Sequence, residues 1–369
     1  MLDAERERRV AELFRRALDV DPAERAAFVE AHAADDPEIR ARAAELLAEE
    51  ARGTKGILAK APFGEKEPEE RRVGPYRLLE VLGEGGMGTV HLAEQAAPVR
   101  RRVALKTIRL GMASGEVLAR FAGERQALAR MNHPNIAEIY EAGSTESGLP
   151  WFAMEHCPGP PLDLYADRAR LTVEERIRLF LPVCDAVQHA HQKGVIHRDL
   201  KPANVLVPLR DGRPVPKIID FGVARAVAGE SLAAPYHTVF GKLVGTWRYM
   251  SPEQADPKGE VDTRTDVWAL GAILYEILTG GPPFREDSVT GIVSALANED
   301  PRAPSRRIRS LPADEREAVA KGRRTTTEAL ARRVAGDLDA IALKALERDR
   351  ARRYAAASEL ATDLRRRRR

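Results

Sequence analysis

Ile196-His197-Arg198-Asp199-Leu200-Lys201-Pro202-Ala203-Asn204-Val205 lies between two apolar runs and reads as a loop. It sets a carboxylate, an amine and a carboxamide at Asp199, Lys201 and Asn204, offsets that a short turn brings together on one point. A base, a clamp for phosphate charge and an oxygen ligand for a metal are what moving a phosphoryl group to a hydroxyl requires.

The 369-residue chain has room for two folded units, or for one large unit with an appendage. Its 31% of charged residues sum to only +3, with Asp and Glu interspersed among Arg, which argues against a dedicated nucleic-acid binder. The two cysteines, Cys157 and Cys184, lack any CxxC spacing, so neither a zinc site nor a disulfide framework is expected and a reducing, cytoplasmic setting fits. Met1 to Val10 is charged throughout and does not read as a signal peptide. Val267 to Leu278 is too short for a bilayer and carries Glu276, so it reads as a buried helix of a soluble chain.

Residues 1–53 alternate Arg and Glu with apolar positions at helical spacing, among them Leu13, Leu18, Phe28, Val29 and Ile39. Asp21-Pro22 and Asp36-Pro37 each set an N-cap residue before a proline, and Glu24 completes a capping box with Asp21. Three short helices follow from this, as a structural appendage or a partner-docking element. Periodicity is lost over 54–74, which reads as a linker.

Beyond it a strand ends at Gly83, and Gly83-Glu84-Gly85-Gly86-Met87-Gly88-Thr89-Val90 supplies glycines where side chains would hold the backbone away from phosphates. Such a loop also marks dinucleotide-binding turns and ordinary hairpins. Here Val90-His91-Leu92-Ala93 continues as a strand and not a helix, which favours a hairpin. The next apolar run, Val103 to Ile108, holds Lys106 in its middle, costly in a buried strand unless the amine snorkels to solvent or finds an anion. Phosphates under the glycine loop, and Glu124 on a helix expected over Val117 to Met131, would supply one.

These stretches, with Asp220-Phe221-Gly222 and Ser251-Pro252-Glu253, occur in the order and spacing of the eukaryotic-type protein kinases, which the chain resembles from about Pro75 to Leu364. The N-terminal helices, Gly336 to Ile341 and the Arg-rich end are similar to bacterial membrane-associated Ser/Thr kinases with a sensor or repeat region after the kinase domain. The resemblance implies an α+β bilobal kinase fold, a small β-rich lobe at 75–154 and a larger helical lobe at 158–364, with the N-terminal helical extension before it and a basic tail at 365–369.

It further implies ATP with Mg²⁺ or Mn²⁺ as cofactors and Ser or Thr hydroxyls of proteins as acceptors. Asp199 would orient the hydroxyl and accept its proton, Lys201 would steady the transferring phosphoryl group, and Asn204 and Asp220 would hold the metal. Lys106, paired with Glu124, would meet the nucleotide phosphates. Leu82, Gly83, Glu84, Gly85, Gly86, Met87, Gly88, Val90, Ala104 and Leu206 would line the nucleotide, with Met154 behind the base and main-chain groups of Glu155 and Cys157 on its edge. His197 and Phe221 would stack with Leu128 and Ile139, Asp266 would brace the catalytic loop, and Arg353 would pair with Glu253.

Thr238 is the implied phospho-acceptor of the control segment, Ser231 the second choice, with Arg198 and Arg225 to meet the phosphate; Thr246 would shape the floor under the substrate. Autophosphorylation would need only a transient dimer. His189 and His191, two apart on a helix, point away from each other and read as packed or solvated side chains. Residues 285–333 predict helices of uncertain length and a mobile loop near 320–327. The Arg365 to Arg369 run reads as a solvated patch, or as the flank of a membrane span beyond residue 369. A catalytically idle scaffold would not need Lys106, Glu124, Asp199, Asn204 and Asp220 together. A small-molecule phosphotransferase would lack the Gly245 to Glu253 segment.

Overall fold

The computed structural model describes residues 25–32, 36, 39–40, 72–85, 88–97, 99–108, 131–145, 148–221, 246–256, 259–286 and 288–367. The chain divides into two compact units, Met1–Glu69 and Glu70–Arg369. In the first, helix α1 (Arg25–His32) buries Val29, and Phe28 stacks on His32 with ring centroids 4.0 Å apart. The Asp36 carboxylate accepts from the Ile39 amide at 3.3 Å, the cap expected ahead of Pro37. Asp21, Pro22 and Glu24 lie outside the described residues.

The second unit opens with strands β1 (Arg72–Val73), β2 (Tyr76–Gly85), β3 (Gly88–Gln95), β4 (Arg101–Ile108), β5 (Ile139–Ser144) and β6 (Pro150–Glu155). They form one antiparallel sheet in the order β1-β2-β3-β4-β6-β5. Alternation assigns the central residues to two apolar layers, because successive side chains of a strand leave opposite faces. Val103 and Leu105 join Tyr76, Ala93, Trp151 and Ala153 on one face, whereas Ala104 and Ile108 join Phe152 and Met154 on the other. β2 runs two residues past the expected end at Gly83, since Gly85 still pairs with Gly88. Only glycine fits at 88, where φ is +155° and a Cβ would lie 1.9 Å from the Thr107 carbonyl oxygen.

The larger lobe is helical: α2 (Leu162–Arg168), α3 (Val173–Gln192), α4 (Pro252–Ala255), α5 (Thr263–Thr279), α6 (Val289–Asn298), α7 (Pro304–Ser310), α8 (Ala313–Gly322), α9 (Thr327–Val334), α10 (Asp337–Ala345) and α11 (Ala357–Arg366). Two small antiparallel pairs, β7 (Val205–Leu206) with β10 (Lys217–Ile218) and β8 (Leu209–Arg210) with β9 (Arg213–Pro214), lie between α3 and α4 in the chain. Thr172 starts α3 with a reciprocal capping box to Glu175, and Gly280 ends α5 in the left-handed region at φ +84°. α5 is buried on nearly every side, as a helix apolar all round must be, and packs against α3, α10 and α11.

The structure corrects one expectation. No mobile loop occupies 320–327: α8 ends at Gly322, Thr326 caps α9, and Arg323 between them is only 3% exposed. Its guanidinium donates to the Val319 and Ile277 carbonyls at 2.9 Å each, so a residue that reads as surface in a sequence is the turn's anchor. Over its described part the Arg365 to Arg369 run is exposed at Arg365 and Arg366, as a solvated patch would be, and half-buried at Arg367. α11 continues to Arg366, Arg365 pairs with Asp185 at 2.6 Å, and Arg367 lies 3.5 Å from Glu174.

Arg353 and Glu253 form the expected pair, two-pronged at 2.7 Å for each contact, with Thr265 donating to the same carboxylate at 2.8 Å. Burial raises the Glu253 pKa, but the Arg353 hydrogen bonds outweigh it and hold the carboxyl below its ordinary value. Arg353→Met should cost about 3–5 kcal/mol, because it strands a buried charge. Urea denaturation measures this, and the difference from wild type should narrow as pH falls below about 4.5, the ordinary glutamate value, where Glu253 takes up a proton.

Candidate active site

The loop after Val195 is held from below. Asp266, fully buried in the first turn of α5, accepts the His197 amide at 2.8 Å and the Arg198 amide at 2.9 Å. A helix N-terminus favours a carboxylate, and His191 adds a contact of 2.8 Å through Nε2. Burial pushes the Asp266 pKa up, but His191 and the His197 amide more than offset it, and the carboxyl stays below the usual range. The two amide bonds draw Arg198 to φ +68°, a left-handed conformation uncommon outside glycine. Gln254 donates to the Arg198 carbonyl at 2.7 Å.

On this base the three groups of the loop converge. Lys201 Nζ lies 2.9 Å from Asp199 Oδ2, and Asn204 Nδ2 reaches the Asp199 carbonyl at 2.7 Å and Oδ2 at 3.2 Å. The 3₁₀ turn Pro202–Asn204 closes the five-residue offset. With its amide nitrogen committed to Asp199, Asn204 keeps a carbonyl oxygen for a hard cation, and Asp220 supplies carboxylate oxygens, so this donor set fits Mg²⁺ or Mn²⁺.

Asp220 follows β10 and stands at φ +62°. Its Oδ2 meets Lys106 Nζ at 2.9 Å, so the strand lysine of the smaller lobe and the carboxylate of the larger one share a cleft. The anion that Lys106 requires is therefore Asp220 in this structure; Glu124 lies outside the described residues. His197 Nε2 donates to the Ile219 carbonyl at 3.0 Å and packs edge-on to Phe221, ring centroids 4.7 Å apart, beside Ile139; Leu128 lies outside the described residues.

Val90, Ala104 and Met154 share one apolar cluster, with Ala104 and Met154 in direct register across β4 and β6. Leu206 enters from β7, bridged to Pro161 just past the hinge. Leu82 is 44% exposed on β2, Glu84 is exposed beside it, and a Cβ on Gly83 would meet nothing within 4 Å, as befits an open edge. The Glu155 amide is spent on the Glu138 carbonyl at 2.8 Å, leaving its own carbonyl and the Cys157 main chain at the hinge. Burial pushes the Cys157 thiol up to about 12, with Glu155 adding to the shift, so the thiol is no nucleophile. Gly86, Met87, Arg225, Ser231 and Thr238 lie outside the described residues. Thr246 begins a 3₁₀ turn that ends at Tyr249, whose hydroxyl donates to Glu276 at 2.5 Å.

Sequence reading missed two contributors. His191 reads in the sequence as packed or solvated, since nothing in helical spacing shows a buried carboxylate 75 positions away. Lys217, buried on β10, holds the Glu155 carboxylate at 2.5 Å, and Arg210 meets its other oxygen. Removing one charged acceptor of two buried amides costs about 1.5–3 kcal/mol. Asp266→Asn should therefore lower stability by that amount in thermal denaturation and depress turnover more than substrate affinity, because it loosens the loop that presents Asp199.

Residues 76–363 match the family model described as the protein kinase domain. The chain is 37% identical over 295 residues to serine/threonine-protein kinase PknB of Mycobacterium tuberculosis, an alignment that covers 78% of this chain and 42% of that protein. It is 37% identical over 302 residues to a probable serine/threonine-protein kinase PknB of Bifidobacterium longum, covering 79% and 39%. The chain thus spans about two-fifths of the length of these relatives. Among solved structures, a double mutant of the Mycobacterium tuberculosis PknI kinase domain superposes with a TM-score of 0.58 at 25% identity, covering 82% of this chain and 98% of that one. Motif order, cleft geometry and a family match across most of its length agree, and the chain belongs to the eukaryotic-type protein Ser/Thr kinases, resembling those of bacteria.

Proposed function

We propose that this chain transfers the γ-phosphoryl group of ATP to Ser and Thr hydroxyls of protein substrates. The observation that carries the reading is the convergence of Asp199, Lys201 and Asn204 opposite the Lys106–Asp220 pair, a base and two cations around one cleft. Asp199 Oδ2 holds the acceptor hydroxyl in line and takes its proton; positioning is the larger contribution, since a carboxylate is too weak a base to deprotonate a free alcohol. Lys201, 2.9 Å from that oxygen, offsets charge on the group in transit. Lys106 orients the nucleotide phosphates from the sheet side. Asn204 and Asp220 are the proposed holders of Mg²⁺ or Mn²⁺, which when bound neutralises phosphate charge.

The nucleotide contacts at Leu82, Val90, Ala104, Met154, Glu155, Cys157 and Leu206 belong to the same proposal, as does the pairing of Lys106 with Glu124 when the latter's helix is docked. Phosphorylation of Thr238, read by Arg198 and Arg225, is the proposed control, installed by one copy on another in a transient dimer. We place the kinase domain in the cytoplasm. No described helix is long and apolar enough to cross a membrane, and any membrane link is proposed to lie beyond residue 369.

Asp199→Asn should lower transfer from labelled ATP to a generic protein substrate by about 10²–10⁴-fold. Nucleotide affinity by calorimetry should stay within a factor of about two; undiminished turnover would refute the role of Asp199, and label on small metabolites instead of protein would refute the substrate class. Phosphosite mapping after autophosphorylation should find phosphate on Thr238, and Thr238→Ala should lose most of the activated rate. Full activity in that variant would move control to Ser231 or elsewhere.

A further inference from the structure

A groove of about 510 Å³ opens just past the hinge, walled by Pro158, Pro160, Tyr165, Val207 and Leu209, with Arg168 on its rim. None of these residues takes part in the site described above. The wall is preformed. Val207 donates to the Pro160 carbonyl at 2.9 Å, and Gly159 runs so close to β7 that a Cβ there would sit 2.4 Å from the Val207 main chain. Two prolines and a glycine packed in this way lose little freedom on binding, which favours affinity. Leu209 is 61% exposed and turns an apolar surface toward this space.

Polar groups in the groove are few and unengaged. Neither the Arg168 guanidinium nor the Tyr165 hydroxyl has a partner among the described residues. The rim is basic: Arg170 is exposed next along the chain, and Arg324 is tied to the Arg170 carbonyl at 2.6 Å, bringing a third guanidinium to that edge. Two carboxylates near that edge are engaged, Asp167 with Arg176 at 2.6 Å and Glu175 with the Thr172 amide at 2.8 Å and Arg324 at 3.4 Å. An apolar trough with a positive edge and a free phenol selects a ligand that is apolar along one stretch and anionic at its end.

We propose that this groove docks an extended segment of a partner protein in which apolar side chains are followed by acidic residues. The apolar side chains lie against Pro158, Pro160 and Leu209, and the carboxylates meet Arg168 and Arg170 and accept from Tyr165. The partner is a protein substrate, held by a segment separate from its phosphorylated hydroxyl. Only this last point rests on the kinase reading, because docking is measured without catalysis.

The test uses the full chain and fluorescein-labelled peptides with a Leu-Ser-Leu core followed by two glutamates, read by fluorescence anisotropy. Saturable binding is expected, weakened about tenfold by Arg168→Glu and by Leu209→Asp, both at exposed positions that leave the core intact. Replacing the glutamates by lysines, or the leucines by serines, should weaken it as much. Turnover of a short peptide lacking the docking segment should be the same in both variants as in wild type. When the segment is fused to that peptide, KM should fall for the wild type alone. Absence of saturable binding, binding indifferent to both variants, or a Leu209-dependent self-association in sedimentation, which would make a second copy the occupant, would each overturn the proposal. Loss of all turnover with docking retained would instead count against the kinase reading.

Discussion

A carboxylate buried without water is costly, and this fold spends one at Asp266 where two catalytic-loop amides and His191 can share its charge. The arrangement depends on α5, whose first turn presents Asp266 and whose remaining length is the centre of the larger lobe's core. Because the helix is immobilised by packing, the amides of His197 and Arg198 are immobilised with it. The left-handed turn at Arg198 follows, and with it the direction in which Asp199 leaves the loop. Strain of this kind survives only where surrounding contacts overdetermine it.

The opposite wall of the cleft obeys the same economy. Lys106 sits in a strand covered on both faces, and its charge is met by Asp220, itself turned to positive φ at the end of β10. β10 also carries Lys217, whose amine holds the side chain of Glu155 at the hinge. The proposed adenine edge and the proposed metal ligand are therefore referred to one short stretch, the two-residue β10 and the two residues that follow it. A shift of that strand would be felt at both ends of the nucleotide, which gives the small β7–β10 pair a weight its length does not suggest.

Much of the site was legible because its chemistry is local. Asp199, Lys201 and Asn204 lie within one turn, and their convergence needs only the 3₁₀ geometry that Pro202 favours. Partners such as Asp266 and Arg353 were found through the family resemblance, since no spacing rule links residues that sit 69 or 100 positions from their partners. The one failure has a physical cause. Arg323 falls in a polar stretch that reads as a mobile loop, whereas its guanidinium finds carbonyls supplied by α8 and by the remote α5. Composition cannot show which charges are neutralised by neighbours remote in the chain.

The amino-acid sequence by itself determined the glycine-loop hairpin, the lysine-bearing strand and the grouping of Asp199, Lys201 and Asn204, while the family resemblance implied Glu124, Asp220 and Asp266. The first three follow from short-range periodicity, turn geometry and the chemistry of single side chains, the last from the order and spacing of the motifs. Only the tertiary structure decided that position 88 must be glycine, that Lys106 is met by Asp220, that His191 supports Asp266, that Lys217 holds the hinge glutamate, and that an apolar groove with Arg168 on its rim opens past the hinge. Each of those depends on distances between segments far apart in the chain, and such distances are set by packing, which local pattern does not encode.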